Sequence, residues 1–261
     1  MVREDFHVHS NFSDGINNPE DIVKCALDRG IERLGISDHG YSVYDPDCGM
    51  HKDRIDEYGD EIRRLKEKYK GKIDLFLGIE QDYYGIYHEK RYEYVIGSVH
   101  NIKAGDDYYT VDYKYEILEE AKKKHFGNDM YKLIECYFET VSDVVMKTEC
   151  DIIGHFDLIA KLSEKYDMFD KNDDRYVSLW KKAADTLITY KKPFEINTGA
   201  ISRGYRTAPY PDIPIIKYIS ERGGKFILSS DSHDMNNLCF EFDKWENVLK
   251  NMGIEMSRFE I

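Results

Sequence analysis

Leu75-Phe76-Leu77-Gly78-Ile79-Glu80 is a short run of apolar residues that ends on a carboxylate. A run of this length and composition is typical of a strand buried on both faces. The chain has seven such segments, and they end, or turn just beyond their ends, on His7 and His9, His39, Glu80, His100, His155, Asn197, and Asp231 with His233. Chance would scatter residues able to bind metals or ligands over helices and loops as well. The pattern therefore indicates one functional site at the ends of the strands.

Helical patterns alternate with these strand-like segments. The first helix is the clearest, because Asn18 is a suitable N-cap, Pro19 suits the first helical position and an apolar stripe continues until near Gly30. Further helices are predicted over about 52–69, 174–190, 212–222 and 236–251. The segment between His100 and His155 is long enough for two more, broken near 127–129. Alternation of strands and helices predicts an α/β fold with a parallel sheet.

The number of strand-and-helix units distinguishes two arrangements of such a sheet. Seven units in one domain over residues 1–261 predict a (β/α)7 barrel, similar to a TIM barrel but with one strand fewer than the usual eight. In a barrel, the side chains at the carboxyl ends of all strands converge on one face. An open doubly wound sheet is the alternative, but it would gather ligands from only a few neighbouring strands.

Composition and charge narrow the classes of partner. The chain of 261 residues is 41% hydrophobic and 33% charged, with a net charge of −13. Binding to nucleic acid or to anionic membranes depends on a basic surface, so we expect neither partner. No stretch approaches the roughly 18 apolar residues that a membrane helix needs. A small anionic substrate stays compatible with the charge, because divalent cations would make the field of a cleft positive.

The N-terminus and the cysteines indicate a compartment. The first candidate ligand is His7 and no apolar stretch precedes it, so a cleaved signal peptide would remove the site itself. The five cysteines are odd in number and form no Cys-x-x-Cys motif, which argues against a disulfide framework or a thiolate zinc site. We therefore expect a cytoplasmic protein with reduced cysteines.

The candidate ligands fit a metal centre. His7 and His9 are two residues apart, as are Asp231 and His233, so each pair projects from one side of an extended segment. Buried polar and charged groups that converge on one crevice repel each other or stay unsatisfied unless cations lie between them. Imidazoles and carboxylates without a thiolate suit zinc, manganese or iron. Asp14 alone would be read as a turn residue, but in this context it becomes a candidate ligand.

Several of these segments resemble the successive motifs of one family. The segments are His7-Val8-His9-Ser10-Asn11-Phe12-Ser13-Asp14-Gly15, Ile36-Ser37-Asp38-His39, Gly78-Ile79-Glu80, Gly97-Ser98-Val99-His100, Gly154-His155-Phe156-Asp157 and Ser230-Asp231-Ser232-His233. Together they resemble the motifs of the polymerase and histidinol phosphatase (PHP) family. The length, the Gly-Ser-Val-His run and the segment Glu195-Ile196-Asn197-Thr198 are most similar to the stand-alone histidinol-phosphate phosphatases of that family.

The resemblance implies a distorted seven-stranded barrel that holds three divalent or mixed-valence metal ions. The first ion is expected on His7, His9, Glu80 and Asp231. Glu80 is expected to bridge to a second ion held by His100 and His155. Asp14, His39 and His233 are expected to hold the third. Zinc, manganese and iron all stay open as the metals.

Such a centre fits hydrolysis of a phosphate monoester, because cations polarise phosphoryl oxygens and lower the pKa of water. A phosphate dianion also favours a planar bidentate donor, and Arg203 and Arg206 lie in the loop after Asn197. The resemblance implies a phosphate-binding arginine in this region, with Arg203 the stronger candidate and Lys161 and Asn197 as further candidate contacts. Asp231, His233 and metal-bound water stay open as proton donors to the leaving alcohol, so the candidate catalytic residues are Asp231, His233 and Arg203.

The resemblance implies hydrolysis of L-histidinol phosphate to L-histidinol and phosphate, a step of histidine biosynthesis. Relatives that act on nucleotides or nucleoside bisphosphates are the enzymatic alternative. A metal-binding module without catalysis is a second alternative, which loss of ligands would indicate, and the chain keeps all nine. A metal-free barrel with structural histidines is the third. The expected partner is a small phosphate monoester, and the oligomeric state stays open.

Overall fold

Short parallel strands form the centre of the protein. The computed structural model describes residues 3–44, 48–86 and 91–261. In chain order the strands and helices are β1 (Glu4–Asp5), α1 (Pro19–Asp28), β2 (Arg33–Ile36), α2 (Ile55–Lys68), β3 (Asp74–Asp82), β4 (Tyr94–Ser98), β5 (Asn101–Ala104), β6 (Asp107–Thr110), α3 (Tyr115–His125), α4 (Met130–Thr148), β7 (Ile152–Ile153), α5 (Asp174–Ile188), β8 (Phe194–Asn197), α6 (Gly199–Ser202), α7 (Ile213–Glu221), β9 (Phe226–Ser229) and α8 (Phe242–Asn251).

Seven of the strands pair side by side, all parallel, in the order β1-β2-β3-β4-β7-β8-β9. The two edges of this sheet then meet. Val8 and Ser232 form a parallel bridge, and the backbone N–H of His9 donates to the carbonyl of Ser232 at 2.8 Å. The prediction of a seven-stranded barrel is therefore confirmed, and the carboxyl ends of all seven strands lie at one face.

Side chains fill the inside of the barrel. The ring of Tyr94 crosses the interior, and its hydroxyl donates to the carbonyl of Phe6 at 2.6 Å. Gly35 and Gly78 make room for this ring, because a Cβ at either position would lie about 2.1–2.2 Å from it. The ring belongs to a small apolar cluster, whose members are Phe6, Phe76, Tyr94, Ile96, Ile152, Ile227 and Phe259. The barrel is thus a packed core, and ligands can reach only its ends.

Helices pack around the outside. In α1, the side chain of Asn18 accepts from the backbone N–H of Asp21, and Ile22, Val23 and Ala26 are buried against the sheet. The predicted break between α3 and α4 is confirmed, since Asp129 caps α4. Within the described ranges, no helix combines the length and apolar character that a membrane crossing requires. A cytoplasmic location and a single domain over residues 1–261 stay predictions.

Two elements differ from the sequence prediction. The antiparallel hairpin of β5 and β6 follows His100 directly, in the segment that was interpreted only as long enough for two helices. The last helix begins at Phe242 instead of near residue 236, because Cys239 and Glu241 both have positive φ angles, 52° and 54°. The backbone N–H of Cys239 donates to the buried carboxylate of Asp5 at 2.9 Å. This long-range contact holds the chain out of the helix.

Candidate metal centre

The nine predicted ligands come together at the carboxyl ends of the strands. Glu80 lies within β3, which continues to Asp82, while the others lie just beyond a strand end or in the loop that follows. His7, His9 and Glu80 have side chains that are at most 1% exposed. Asp14, His39 and His233 are between 16% and 25% exposed. The centre therefore has a closed inner side and an open outer side.

Glu80 is in the middle of the group, and its two carboxylate oxygens face different histidines. Its Oε1 lies 2.9 Å from His155 Nε2 and 3.3 Å from His100 Nε2. Its Oε2 lies 2.9 Å from His39 Nδ1. The same oxygen lies 3.2 Å from His7 Nε2 and 3.5 Å from His9 Nε2. One carboxylate thus faces five imidazoles from four segments of the chain, as a bridging ligand would.

Asp231 and Asp14 complete the group. Asp231 Oδ1 lies 3.2 Å from His9 Nε2 and 3.7 Å from His7 Nε2. Asp14 Oδ2 lies 3.2 Å from His233 Nε2, and its Oδ1 lies 3.7 Å from His39 Nε2. Asp14 therefore belongs to the open side of the centre, and Asp231 belongs to its interior.

Three overlapping sets of donor atoms are close enough to share cations. Among the residues that the structure describes, these sets are His9, Asp14, His39 and His233; His7, His9 and Glu80; and His39, Glu80 and His100. His7 Nε2, both ring nitrogens of His9 and Glu80 Oε2 are buried without a hydrogen-bond partner. Buried polar atoms without partners are costly, and divalent cations would satisfy them. The donor set therefore fits divalent metal ions bound by imidazole and carboxylate.

The electrostatics agree with a cation site. Burial would raise the pKa of Glu80, but His39 and His7 hold it well below its usual range. Burial would lower the pKa of His39, but Glu80 and Asp14 raise it to about 9. Burial, together with His233 and His39, lowers the pKa of His9 to about 3. The carboxylates are thus anionic at neutral pH, and a cation competes with protons for some of the imidazoles.

A buried carboxylate holds the loop that carries Asp14. Asp38 accepts hydrogen bonds from the backbone N–H of Ser10 at 2.8 Å and of Ser13 at 3.1 Å. It also accepts from the hydroxyls of both serines, at 2.7 and 2.6 Å. Because Asp38 immediately precedes His39, this network ties two candidate ligands of the open side to each other.

Arg203, the predicted phosphate contact, lies against two of the candidate ligands. Its Nη2 donates to Asp231 Oδ2 at 2.9 Å and its Nη1 to the carbonyl of Asp231 at 2.8 Å. Its Nη1 also lies 2.9 Å from His233 Nδ1. The side chain is 27% exposed, so part of the guanidinium faces solvent on the open side. An anion could reach it there.

Asn197 and Arg206, two predicted substrate contacts, are buried away from solvent. The amide of Asn197 donates to Glu195 at 3.2 Å, and its side-chain oxygen accepts from Gly199 N–H. The guanidinium of Arg206 is fully buried, where it pairs with Asp212 and lies 3.6 Å from Asp157. These contacts correct the prediction, because both side chains use their polar atoms inside the protein and neither is open to a substrate.

Lys161, the remaining predicted contact, is mostly buried at the edge of the centre. Its Nζ pairs with Asp112 Oδ2 at 2.8 Å. Burial would raise the pKa of Asp112, but Lys161 and His100 lower it to about 2. The carboxylate of Asp112 therefore lies close enough to the centre to interact electrostatically with His100. Lys161 and Asp112 therefore form an ion pair beside the second predicted metal position.

Sequence reasoning missed two carboxylates that contact candidate ligands and a third, Asp112, that pairs with Lys161. Glu195 Oε1 lies 2.6 Å from His7 Nδ1. Asp82 Oδ2 accepts from the backbone N–H of His100 at 2.9 Å and lies 3.3 Å from its Nδ1. Asp112 belongs to the loop after the unpredicted hairpin. A usable signal existed for two of them, because Asp82 and Glu195 lie two residues from Glu80 and Asn197 on extended strands and so face the same side.

Comparisons with known proteins agree with this geometry. The family model for the PHP domain matches residues 5–199. A probable histidinol-phosphatase of Schizosaccharomyces pombe is 27% identical over 255 residues, which cover 90% of this chain and 81% of that protein. The histidinol-phosphatase of Lactococcus lactis is 27% identical, with 99% of this chain and 95% of that protein covered.

A solved structure shows the same fold. It is the histidinol phosphate phosphatase of Lactococcus lactis, determined in complex with zinc, L-histidinol and phosphate. It superposes with a TM-score of 0.72 and 24% sequence identity, and the match covers 99% of this chain and 97% of that chain. The barrel and the loops that carry the candidate ligands are thus included in the match.

Proposed function

Because the chain belongs to the PHP domain family, we propose that it is a metal-dependent phosphomonoesterase that hydrolyses L-histidinol phosphate to L-histidinol and phosphate. The observation that carries the proposal is the convergence of six imidazoles and three carboxylates around Glu80 at one face of the barrel. Relatives named as histidinol-phosphatases match this chain over 90% or more of its length, which supports the choice of substrate.

We assign three ions to the centre. Glu80 bridges two of them, one held with His7, His9 and Asp231 and the other with His100 and His155. Asp14 and His233 hold the third with His39, whose ring reaches Asp14 through Nε2 and Glu80 through Nδ1. The three positions therefore adjoin each other, and zinc, manganese and iron all suit the donors. Divalent cations supply polarisation of the phosphoryl oxygens and a lowered pKa for water.

Arg203 binds and orients the phosphate. Its guanidinium is fixed by two hydrogen bonds to Asp231, so little side-chain freedom is lost when an anion binds. Its solvent-facing side lies at the open edge of the centre, beside His233. Lys161 adds positive charge near the same edge, although its ion pair with Asp112 partly neutralises that charge. The net charge of −13 does not oppose this, because the local charges decide the field.

We infer that Asp231 is a hydrogen-bond acceptor and that another group supplies the proton for the leaving alcohol. Burial would raise its pKa, but Arg203 and His7 hold it well below the usual range. An anionic carboxylate accepts hydrogen bonds and has no proton to donate. His233, which is 23% exposed, and water at the open edge are the donors that this arrangement leaves.

The test is phosphate release by the metal-loaded protein. L-Histidinol phosphate, an aryl phosphate and a nucleoside bisphosphate are each assayed with and without a chelator. We expect strong preference for L-histidinol phosphate, and loss of activity with the chelator. Preference for the bisphosphate would keep the metal centre but overturn the substrate. Inactivity on all three would indicate a binding module, and activity that survives chelation would overturn the metal-dependent mechanism.

A further inference from the structure

Glu195 is a buried carboxylate of β8 on which three donors from three strand segments converge. Its side chain is 0% exposed, and its Oε1 lies 2.6 Å from Nδ1 of His7. Its Oε2 accepts from the backbone N–H of His155 at 3.0 Å and from the side-chain amide of Asn197 at 3.2 Å. Glu195 therefore contacts one ligand residue of each of two proposed metal positions, His7 and His155, but is not itself a proposed ligand.

The contact with His7 decides which ring nitrogen is free. A neutral imidazole carries one proton, so a ring that donates from Nδ1 has its lone pair on Nε2. The Nε2 of His7 lies 3.2 Å from Glu80 and 3.7 Å from Asp231, buried and without a hydrogen-bond partner. Carboxylates commonly fix metal-binding histidines through the second ring nitrogen in this way. Glu195 thus presents the correct nitrogen to the cation.

Asn197 extends the same network to the phosphate side. Its side chain is fully buried, and its oxygen accepts from the backbone N–H of Gly199 at 2.9 Å. Gly199 begins the short helix α6, which ends at Ser202, directly before Arg203. Through its amide and its oxygen, Asn197 joins the carboxylate behind His7 to the turn that carries the phosphate-binding arginine.

We propose that Glu195 and Asn197 are positioning residues. Glu195 fixes the tautomer of His7 and the backbone at His155, and Asn197 fixes the turn that carries Arg203 relative to that carboxylate. This inference rests on the proposed metal-dependent function. It adds that metal binding depends on Glu195 and phosphate binding on Asn197, which form one buried hydrogen-bonded pair.

Glu195→Gln tests the first half, because glutamine has one acceptor where glutamate has two. If its oxygen stays on His155 N–H and Asn197, its NH2 group faces His7 Nδ1 and forces the proton onto Nε2, which then cannot bind metal. If the amide flips, its NH2 group faces two donors. Either orientation weakens metal binding, by about 10–100-fold in affinity.

The measurement is calorimetric titration of the metal-stripped protein with zinc, together with the visible spectrum of the cobalt-loaded protein. Asp151→Asn is the matched control, because Asp151 is a carboxylate at the amino end of β7 that accepts from Val95 N–H. We expect wild-type zinc affinity for this control and a weakened, spectrally altered site for Glu195→Gln. Wild-type affinity and spectrum in folded Glu195→Gln would overturn the proposal.

Asn197→Ala tests the second half and does not depend on the first variant folding. We expect it to raise the dissociation constant of inorganic phosphate about tenfold, while zinc affinity changes by less than about threefold. A large loss of zinc affinity with unchanged phosphate binding would overturn the assignment. Neither readout requires turnover of histidinol phosphate, so failure of this inference is distinguishable from failure of the proposed substrate.

A measurement on the wild-type protein completes the test. A long-range 1H–15N spectrum of the zinc-loaded protein reports which ring nitrogen of each histidine carries a proton. We expect the proton of His7 on Nδ1. A proton on Nε2 would overturn the positioning role of Glu195, whether or not its variants fold.

Discussion

His155 Nε2 lies 2.9 Å from Glu80 Oε1, and this contact joins β7 and β3, which are separated in the sheet by β4. The other oxygen of the same carboxylate lies 2.9 Å from His39 Nδ1, which follows β2. A single side chain therefore connects both sides of the centre. Its position explains why a carboxylate at the end of one apolar strand can organise a whole site.

Glu80→Gln is expected to lose bound metal and nearly all turnover. The amide removes one negative charge and replaces an acceptor oxygen with a donor group that faces imidazoles. Loss of a bridging ligand costs several kcal/mol of transition-state stabilisation, on the order of 1000-fold in kcat. Elemental analysis after gel filtration and steady-state kinetics measure both effects.

Glu93→Gln is the control for that experiment. Glu93 accepts from Leu77 N–H at the amino end of β4, away from the centre. We expect this variant to keep its metal and its activity. Full activity with wild-type metal content in Glu80→Gln would contradict the bridging role.

Arg203→Ala is expected to weaken phosphate binding while metal is retained. The guanidinium is partly open to solvent, and a charge-assisted hydrogen bond to an anion contributes about 1.5–3 kcal/mol. KM and the inhibition constant of inorganic phosphate should both rise about 10–100-fold. Arg203→Lys should recover only part of this loss, because lysine lacks the planar fork. An unchanged phosphate inhibition constant in Arg203→Ala would be incompatible with the assignment.

Arg206→Ala is expected to affect stability instead. Its guanidinium is buried with Asp212 and Asp157, and removal of one partner leaves buried carboxylates uncompensated. This loss costs about 3–5 kcal/mol in the free energy of unfolding. Urea denaturation measures it, and KM of the folded fraction should stay close to wild type. A raised KM at unchanged stability would return Arg206 to the substrate site.

Metal affinity is expected to rise with pH. Although burial lowers the pKa of His39, Glu80 and Asp14 raise it to about 9, so the ring is protonated at neutral pH. Burial would lower the pKa of His7 and His100 too, but Glu195 and Glu80 hold these pKa values well above the usual range. A cation binds only unprotonated rings, so binding releases these protons, and affinity increases at least tenfold per pH unit below about pH 9. Zinc titrations at pH 6, 7 and 8, in buffers of different ionisation enthalpy, count the protons released. Affinity that is independent of pH would contradict the charge state of His39.

The sequence predicted the barrel and suggested the candidate ligands because both rest on local signals. An apolar run that ends on Glu80 can be recognised without knowing what it packs against, and parallel strands bring such ends to one face. The role of Glu195 depends on β8 lying across the barrel from His7, and the burial of Arg206 depends on a carboxylate of another loop. No spacing along the chain encodes either contact.

The late start of α8 has the same kind of cause. The periodic pattern from residue 236 onwards is compatible with a helix, but the carboxylate of Asp5, at the other end of the chain, binds Cys239 N–H. A tertiary hydrogen bond thus overrides local propensity. The hairpin of β5 and β6 was missed because the segment between His100 and His155 was interpreted only as long enough for two helices broken near 127–129.

The buried carboxyl group of Asp5 is expected to make a contribution to the free energy of unfolding that falls as pH rises. Burial raises its pKa from 3.8 to about 6, although Ser230 and Cys239 donate hydrogen bonds to it. The folded state therefore holds this proton more tightly than the unfolded chain. Its contribution is fully present below about pH 4 and is lost as pH rises through about 6, which amounts to about 3 kcal/mol.

Asp5→Asn isolates this contribution because asparagine does not titrate. Urea denaturation of the chelator-treated wild type and variant between pH 4 and pH 7 gives the difference in their free energies of unfolding at each pH. We expect the advantage of the wild type to shrink by about 2.5 kcal/mol over this range. A constant difference would mean that Asp5 is ionised throughout, with the hydrogen bonds from Ser230 and Cys239 offsetting its burial.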